Sequence, residues 1–136
     1  MKKVLILCTG NSCRSQMADG LLSSFLTDFQ IYSAGTKPEP VNHFAVKAMN
    51  QIGIDISKNF SNYVDEYTDI DFDYVFTVCD NAKEICPIYP KAKQMIHHSF
   101  IDPADAKGSA SEQLAVYVTV RNQLSDYFKD FFKNIS

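Results

Sequence analysis

The chain has 136 residues, 46% of them hydrophobic, a net charge of -3 and a pI near 5.5. That length supports a single domain over residues 1–136 with its own core, and the acidic balance argues against nucleic acid or an anionic membrane as partner. Met1-Lys2-Lys3 followed by Val4 to Cys8 imitates the start of a signal peptide, but an apolar run of about five residues is too short for an h-region, and no segment approaches the roughly twenty needed to span a bilayer. The expectation is a cytoplasmic monomer, where four cysteines are more readily catalytic, redox-active or metal-binding than structural.

In chain order, Lys3 to Leu7 reads as a buried strand, and Ser15 to Thr27 as a helix with Met17, Leu21, Leu22, Phe25 and Leu26 along one side. Phe29 to Ala34 is a second strand. After a loop with two prolines, Asn42 caps a helix that has His43 in its first turn, carries Phe44, Ala45, Ala48, Met49 and Ile52, and is closed by Gly53. Asp73 to Val78 is the clearest β-run and leaves Cys79 at its carboxyl end. Gln94 to His97 is a short further strand. Ser109 or Ser111 caps the last helix, whose stripe of Tyr117, Val120, Leu124, Phe128, Phe131 and Ile135 is core. This alternation predicts an α/β fold, a three-layer doubly wound parallel sheet with right-handed crossovers and ligands beyond the carboxyl ends of the strands. Cys8, Cys79 and Asp102 then converge on one edge of the sheet.

The densest chemistry lies in Val4-Leu5-Ile6-Leu7-Cys8-Thr9-Gly10-Asn11-Ser12-Cys13-Arg14-Ser15, where an apolar run ends in a small polar loop before an amphipathic stretch. Strand, loop and helix in that order turn backbone N–H groups and the positive end of a helix dipole toward one point where a tetrahedral oxyanion can sit. Thr9, Gly10, Asn11, Ser12, Cys13, Arg14 and Ser15 are the expected anion-binding residues. The same field favours thiolate over thiol, so Cys8 reads as a nucleophile of lowered pKa, and Arg14 offers a two-pronged grip on two oxygens. A bare Cys-x5-Arg would arise by chance in about one such chain in five. Its setting gives it weight: Gly10 suits a tight anion nest, Asn11 tolerates left-handed geometry, and Ser15 can hydrogen-bond the thiolate.

With Tyr32-Ser33-Ala34-Gly35, Asp55-Ile56-Ser57, Cys79-x6-Cys86-Pro87 and Asp102-Pro103-Ala104, this loop resembles the arsenate reductases built on the low-molecular-weight tyrosine phosphatase fold, nearly end to end. The resemblance implies an oxyanion loop at 8 to 15, an acid at Asp102, and two relay cysteines, Cys79 and Cys86. Their final disulfide is reduced by thioredoxin, or alternatively by glutaredoxin and glutathione, with no tightly bound cofactor. The substrate implied is arsenate, with phosphate or sulfate as analogues. Cys8 attacks the central atom while Asp102 protonates the departing oxygen. Cys79 then attacks the Cys8 sulfur and releases arsenite, and Cys86 attacks Cys79 to leave Cys79-Cys86. A short helix over 80 to 86 would hold the two sulfurs apart, so that segment is expected to unwind between Asp80 and Ile85.

Some arsenate reductases of this kind bind potassium behind the loop through positions matching Asn11, Asp19, Ser33 and a carboxylate where this chain has Asn62; the neutral amide weakens such a site. Asn59 likewise replaces a histidine found near the first relay cysteine. Cys13 reads either as a packed spectator or as a protective partner for Cys8, and Asp102 either as the acid or as the cap of the turn before Pro103. His97 and His98 with Cys79 or Cys86 have no usual zinc spacing, so no metal is expected. The main competing function is a low-molecular-weight protein tyrosine phosphatase, which would leave Cys79 and Cys86 without a task. A phosphotyrosine ring needs an aromatic wall, and Ala104-Asp105-Ala106 supplies none. A cysteine phosphocarrier is a third reading, opposed by Arg14 and Asp102.

Overall fold

The computed structural model describes residues 1–80 and 86–133. Four parallel strands, β1 (Lys2–Cys8), β2 (Phe29–Gly35), β3 (Phe72–Thr77) and β4 (Ala92–His97), form a sheet in the order β2-β1-β3-β4. β1 is a central strand buried on both faces from Val4 to Cys8, which is why it reads as a continuous apolar run without alternation. The predicted strands are all present, with β3 beginning one residue earlier than expected and β4 two.

Among the described residues three α-helices accompany the sheet: α1 (Arg14–Phe25), α2 (His43–Asn50) and α3 (Ala110–Phe132). α1 stops at Phe25, short of the expected Thr27, because Leu26 is extended and Asp28 takes a left-handed φ of 63° to turn the chain into β2. The Asn42 side chain accepts from the Phe44 N–H at 2.8 Å, as the cap of α2 requires, and Gly53 has the positive φ of 78° that lets the chain leave. Ile52, expected on the apolar face of α2, lies past the helix end and is exposed. Ser109 and Glu112 form a reciprocal capping box on α3, whose Tyr117, Val120, Leu124, Phe128 and Phe132 are buried. Phe131, expected in that stripe, is only partly buried, since Phe132 takes the inward position. Ile135 lies outside the described residues.

The larger core joins Val4, Ile6, Phe76 and Val78 to Met17, Leu21 and Leu22 of α1, Ala45, Ala48 and Met49 of α2 and the stripe of α3. On the opposite face Leu5, Leu7, Ala34, Phe72 and Val75 are covered by Tyr89 and by the 3-10 turn Val64–Tyr67. The Tyr89 hydroxyl donates to the carbonyls of Ile70 and Tyr67, fixing that thinner layer. Both faces are therefore covered, as the doubly wound prediction requires. No helix among the described residues is long and apolar enough to cross a membrane.

Strand order decides where the chemistry gathers. From β1 the chain crosses one way to β2, and from β3 it runs the other way to β4, so the loops leaving the neighbouring strands β1 and β3 part and open a crevice at their carboxyl ends. Gly35 closes the side toward β2. A Cβ there would sit 2.4 Å from the Thr9 carbonyl oxygen and 2.9 Å from the Asn11 nitrogen, both backbone atoms of the loop after β1. Gly35→Ala is expected to push that loop out of place, costing on the order of 1–3 kcal/mol and lowering Tm by several degrees. It should also shrink the stabilisation that added phosphate confers in thermal unfolding; an unchanged Tm with full phosphate stabilisation would show that the loop is not held against β2.

Candidate active site

Cys8 is the last residue of β1, and Asn11 in the loop beyond it has a left-handed φ of 50°. That turn brings the Asn11 N–H to 3.3 Å from Cys8 Sγ. Ser15 Oγ lies 2.9 Å from the same sulfur. The Asn11 side-chain oxygen accepts from the Asn62 N–H at 2.8 Å, which leaves its Nδ2 to donate to Ser15 Oγ at 2.7 Å. With an acceptor position of Ser15 so filled, its proton is able to point at Cys8 Sγ.

The carbonyls of the loop are turned outward and held there. Thr9 O accepts from the Lys37 N–H at 2.9 Å, Gly10 O from Glu39 N–H at 2.8 Å and Ser12 O from Asn42 N–H at 3.0 Å. Asn11 O accepts from Gln16 Nε2 at 3.1 Å and Ser61 Oγ at 2.9 Å. α1 starts at Arg14 without a side-chain cap, so the open end of its dipole meets the same loop. A cleft of about 690 Å³ lies over Cys8 and is lined by Thr9, Gly10, Ser12, Cys13, Arg14 and Asp102, among others. Asn11 and Ser15 sit fully buried beneath it. The seven residues expected to hold an oxyanion thus divide into a lining and a support.

Arg14 is buried, its Nη1 donating to the Phe100 carbonyl at 3.1 Å and its Nη2 standing 3.6 Å from Asp102 Oδ2. Asp102 accommodates both of its expected placements. Oδ1 accepts from the Ala104 N–H at 3.0 Å and caps the short 3-10 turn Pro103–Asp105, while Oδ2 faces Arg14 in the cleft. No aromatic side chain is among the described residues that line the cleft.

Cys79, buried just past β3, is joined to Cys86 by a disulfide with Cα atoms 6.0 Å apart. The neighbours Asp80 and Pro87 line the cleft that contains Cys8. The expected unwinding between Asp80 and Ile85 falls on 81–85, outside the described residues. Of the two histidines considered with these cysteines, His97 lies close to both sulfurs and His98 does not join the cluster; its ring packs on Phe100 and Tyr127. The potassium position is occupied by mutual hydrogen bonds. Ser33 Oγ and Ser23 Oγ donate to the Asp19 carboxylate, and Asn62 Nδ2 donates to the Ser33 and Phe60 carbonyls. Burial raises the Asp19 pKa, which the two serine hydroxyls partly offset.

Sequence reasoning missed the outer supports. Gln16 is buried and joins the Asn11 and Phe60 carbonyls while accepting from Asn59 Nδ2 at 3.1 Å, so Asn59 braces the loop from a distance. Ser61 also donates to the Glu39 carbonyl. Lys37 and Glu39, whose N–H groups hold the loop carbonyls, line the same cleft. Isolated polar residues in irregular segments carry no periodicity, and only their meeting in space marks them.

A nucleophilic sulfur beneath an anion-binding loop at a strand-to-helix turn defines a class, and residues 3–135 match it: the chain belongs to the low molecular weight phosphotyrosine protein phosphatase family. Within that family it resembles reductases. It is 44% identical over 131 residues to the arsenate reductase of Halalkalibacterium halodurans, covering 96% of this chain and 94% of that one. To the arsenate reductase of Bacillus subtilis it is 41% identical over 131 residues, with 96% of this chain and 94% of that one covered. A solved arsenate reductase in its oxidized state superposes with a TM-score of 0.83 at 28% identity over 100% of both chains.

Cys13 is the loop thiol whose state is set by burial. Desolvation lifts its pKa from 9.0 to about 11, against the lowering effect of the Ser12 and Tyr117 hydroxyls. The fold therefore favours the protonated thiol. Its contribution is complete below pH 9 and is lost as pH rises toward 11, amounting to as much as about 2–3 kcal/mol. Urea unfolding at pH 8 and pH 10.5 should show a smaller alkaline loss in Cys13→Ala than in the wild type, and folded protein at neutral pH should leave Cys13 unlabelled by iodoacetamide.

Proposed function

We propose that this protein reduces arsenate to arsenite, with Cys8 as nucleophile and Cys79 and Cys86 as the thiols that supply the two electrons. The observation that carries the reading is the Cys79–Cys86 disulfide next to residues lining the Cys8 cleft. A phosphatase built on the same loop has no use for that bond.

In the proposed mechanism the loop N–H groups, the α1 terminus and Arg14 hold the arsenate oxygens and stabilise charge that grows during attack. Cys8 thiolate forms a bond to arsenic, and an oxygen departs as water with a proton from Asp102, whose Oδ2 is the oxygen not used in capping the turn. Cys79 thiolate then attacks the Cys8 sulfur. The S–As bond breaks with its electron pair left on arsenic, so As(V) becomes As(III) and leaves as arsenite while Cys8–Cys79 forms. Cys86 attacks the Cys79 sulfur, Cys8 leaves as thiolate, and Cys79–Cys86 remains. Phosphorus does not accept the electron pair, so with phosphate esters the same loop supports only hydrolysis. Thioredoxin is the proposed reductant of the final disulfide, on the strength of the family resemblance, with glutaredoxin and glutathione as the rival couple. Potassium has no step in this mechanism.

The deciding assay mixes the protein with arsenate, NADPH, thioredoxin and thioredoxin reductase, and in parallel with glutathione, glutaredoxin and glutathione reductase. Arsenate-dependent NADPH consumption is expected in the first mixture. Cys8→Ser should abolish both arsenate reduction and any aryl phosphate hydrolysis, and Arg14→Ala should weaken oxyanion binding. Cys79→Ser should keep hydrolysis of a small aryl phosphate near the wild-type rate while losing arsenate turnover. Cys86→Ser should perform about one reduction per chain and stop with Cys8 tied to Cys79. Equal retention of both activities in Cys79→Ser would exclude the relay and favour the phosphatase.

A further inference from the structure

The relay as proposed contains a proton problem. An ordinary thiol of pKa ~8.5 is only a few per cent thiolate at pH 7, yet thiolate is the attacking form. Cys8 has the Asn11 N–H and the Ser15 hydroxyl on its sulfur. Cys86, within the irregular residues 86–89, needs another way to lose its proton.

Beside it stands an imidazole. β4 runs parallel to β3 with His97 in register with Thr77, two residues before Cys79, so the last side chain of β4 is delivered to the point where Cys79 leaves β3. A ring nitrogen of His97 and the sulfurs of Cys79 and Cys86 all lie within 4.8 Å of one another, the one such cluster of His, Cys, Asp and Glu among the described residues. The ring is held on both sides: Nδ1 is 2.7 Å from the hydroxyl of Thr77, which is buried, and Nε2 is 2.9 Å from the hydroxyl of Ser99. Hydroxyls donate or accept, so both partners serve either neutral tautomer and the imidazolium alike. His97 is exposed, so a proton taken from a thiol has a direct way to solvent. Imidazole is the side chain suited to such exchange near neutrality.

We propose that His97 is the proton acceptor for Cys86 in the second exchange of the relay and returns a proton when the Cys79–Cys86 bond is reopened. This rests on the proposed arsenate reduction. In the forward step the Cys86 S–H proton passes to a His97 ring nitrogen, which gives up its hydroxyl contact to take it, and the Cys86 sulfur forms its bond to Cys79. The Cys8–Cys79 bond breaks with its electron pair on Cys8, which stays as thiolate in its loop. When an external dithiol attacks Cys86, the imidazolium protonates the departing Cys79 sulfur. Electrons and protons balance, and no further reductant is needed in the forward step.

The test is a single arsenate pulse on fully reduced protein without external reductant, quenched by acid at intervals and mapped for disulfides. Wild type should release one arsenite per chain and end as Cys79–Cys86. His97→Ala and His97→Gln should still release arsenite but convert Cys8–Cys79 about 10- to 30-fold more slowly, the span set by the few per cent of thiolate present without a base. His97→Gln keeps hydrogen bonding to Thr77 within reach but has no basic nitrogen, so it separates a proton role from a packing role. Imidazole added to His97→Ala should restore conversion, since the position is open to solvent. Conversion at the wild-type rate in either variant, or a delay that imidazole leaves untouched, overturns the assignment while leaving the relay intact. Absence of any Cys79–Cys86 product in the wild type overturns the relay and this assignment with it.

Discussion

The site depends on where the loop after β1 sends its carbonyl groups. Four successive acceptors, Thr9, Gly10, Asn11 and Ser12, are tied to partners outside the loop: the 37–42 segment takes three, and Gln16 with Ser61 takes the fourth. Each peptide unit that points its oxygen outward leaves its amide hydrogen on the other side. A concave row of N–H groups beside an uncapped helix start is therefore produced by contacts that never touch the anion. Gly35 belongs to the same constraint, because the backbone of the loop lies where any Cβ would have to go.

Asn11 joins that scaffold to the nucleophile. Its backbone N–H approaches Cys8 Sγ, its amide group directs the Ser15 hydroxyl, and its side-chain oxygen is fixed by Asn62. A left-handed φ is needed to do all three, and asparagine tolerates it better than most side chains. The presence of Asn62 in place of a carboxylate has a consistent consequence here. Its amide can donate where a carboxylate could only accept, so it hydrogen-bonds the Ser33 carbonyl, while the Asp19 carboxylate accepts from the Ser33 and Ser23 hydroxyls.

Legibility tracks periodicity and local chemistry. The apolar run at Val4–Cys8, the Asn42 and Ser109 caps, and the stripe from Tyr117 to Phe128 are each dictated by residues near in sequence, and the strands and α1 stand within two residues of their expected places. Ile52 and Phe131 depart from expectation for related reasons: a helical pattern extended past a helix end, or one residue out of phase, predicts burial that the backbone does not deliver. The loop residues are legible because strand, Gly, Asn and Ser in that order have few other physical uses. Gln16, Asn59 and Ser61 are not, since their roles exist only when segments more than forty residues apart meet. In the sequence His97 and His98 are equivalent neighbours, and only the register of β4 against β3 separates the two, sending one to the cysteines and the other to the aromatic group of Phe100 and Tyr127.

On the proposed mechanism, the difference between reduction and hydrolysis arises at the neighbouring strand and not in the loop. Binding an oxyanion and attacking it need only the loop after β1 together with Arg14 and Asp102, and those groups are indifferent to whether the central atom is phosphorus or arsenic. Removing two electrons from the protein needs a second thiol that can reach the Cys8 sulfur, and the order β2-β1-β3-β4 makes the end of β3 the adjacent place to put it. A third thiol then moves the oxidised bond away from the anion loop, whose hydrogen bonds can hold a thiolate again as soon as Cys8 is released. One strand crossing thus separates the part of the protein that recognises charge from the part that stores electrons, and either can change without rebuilding the other.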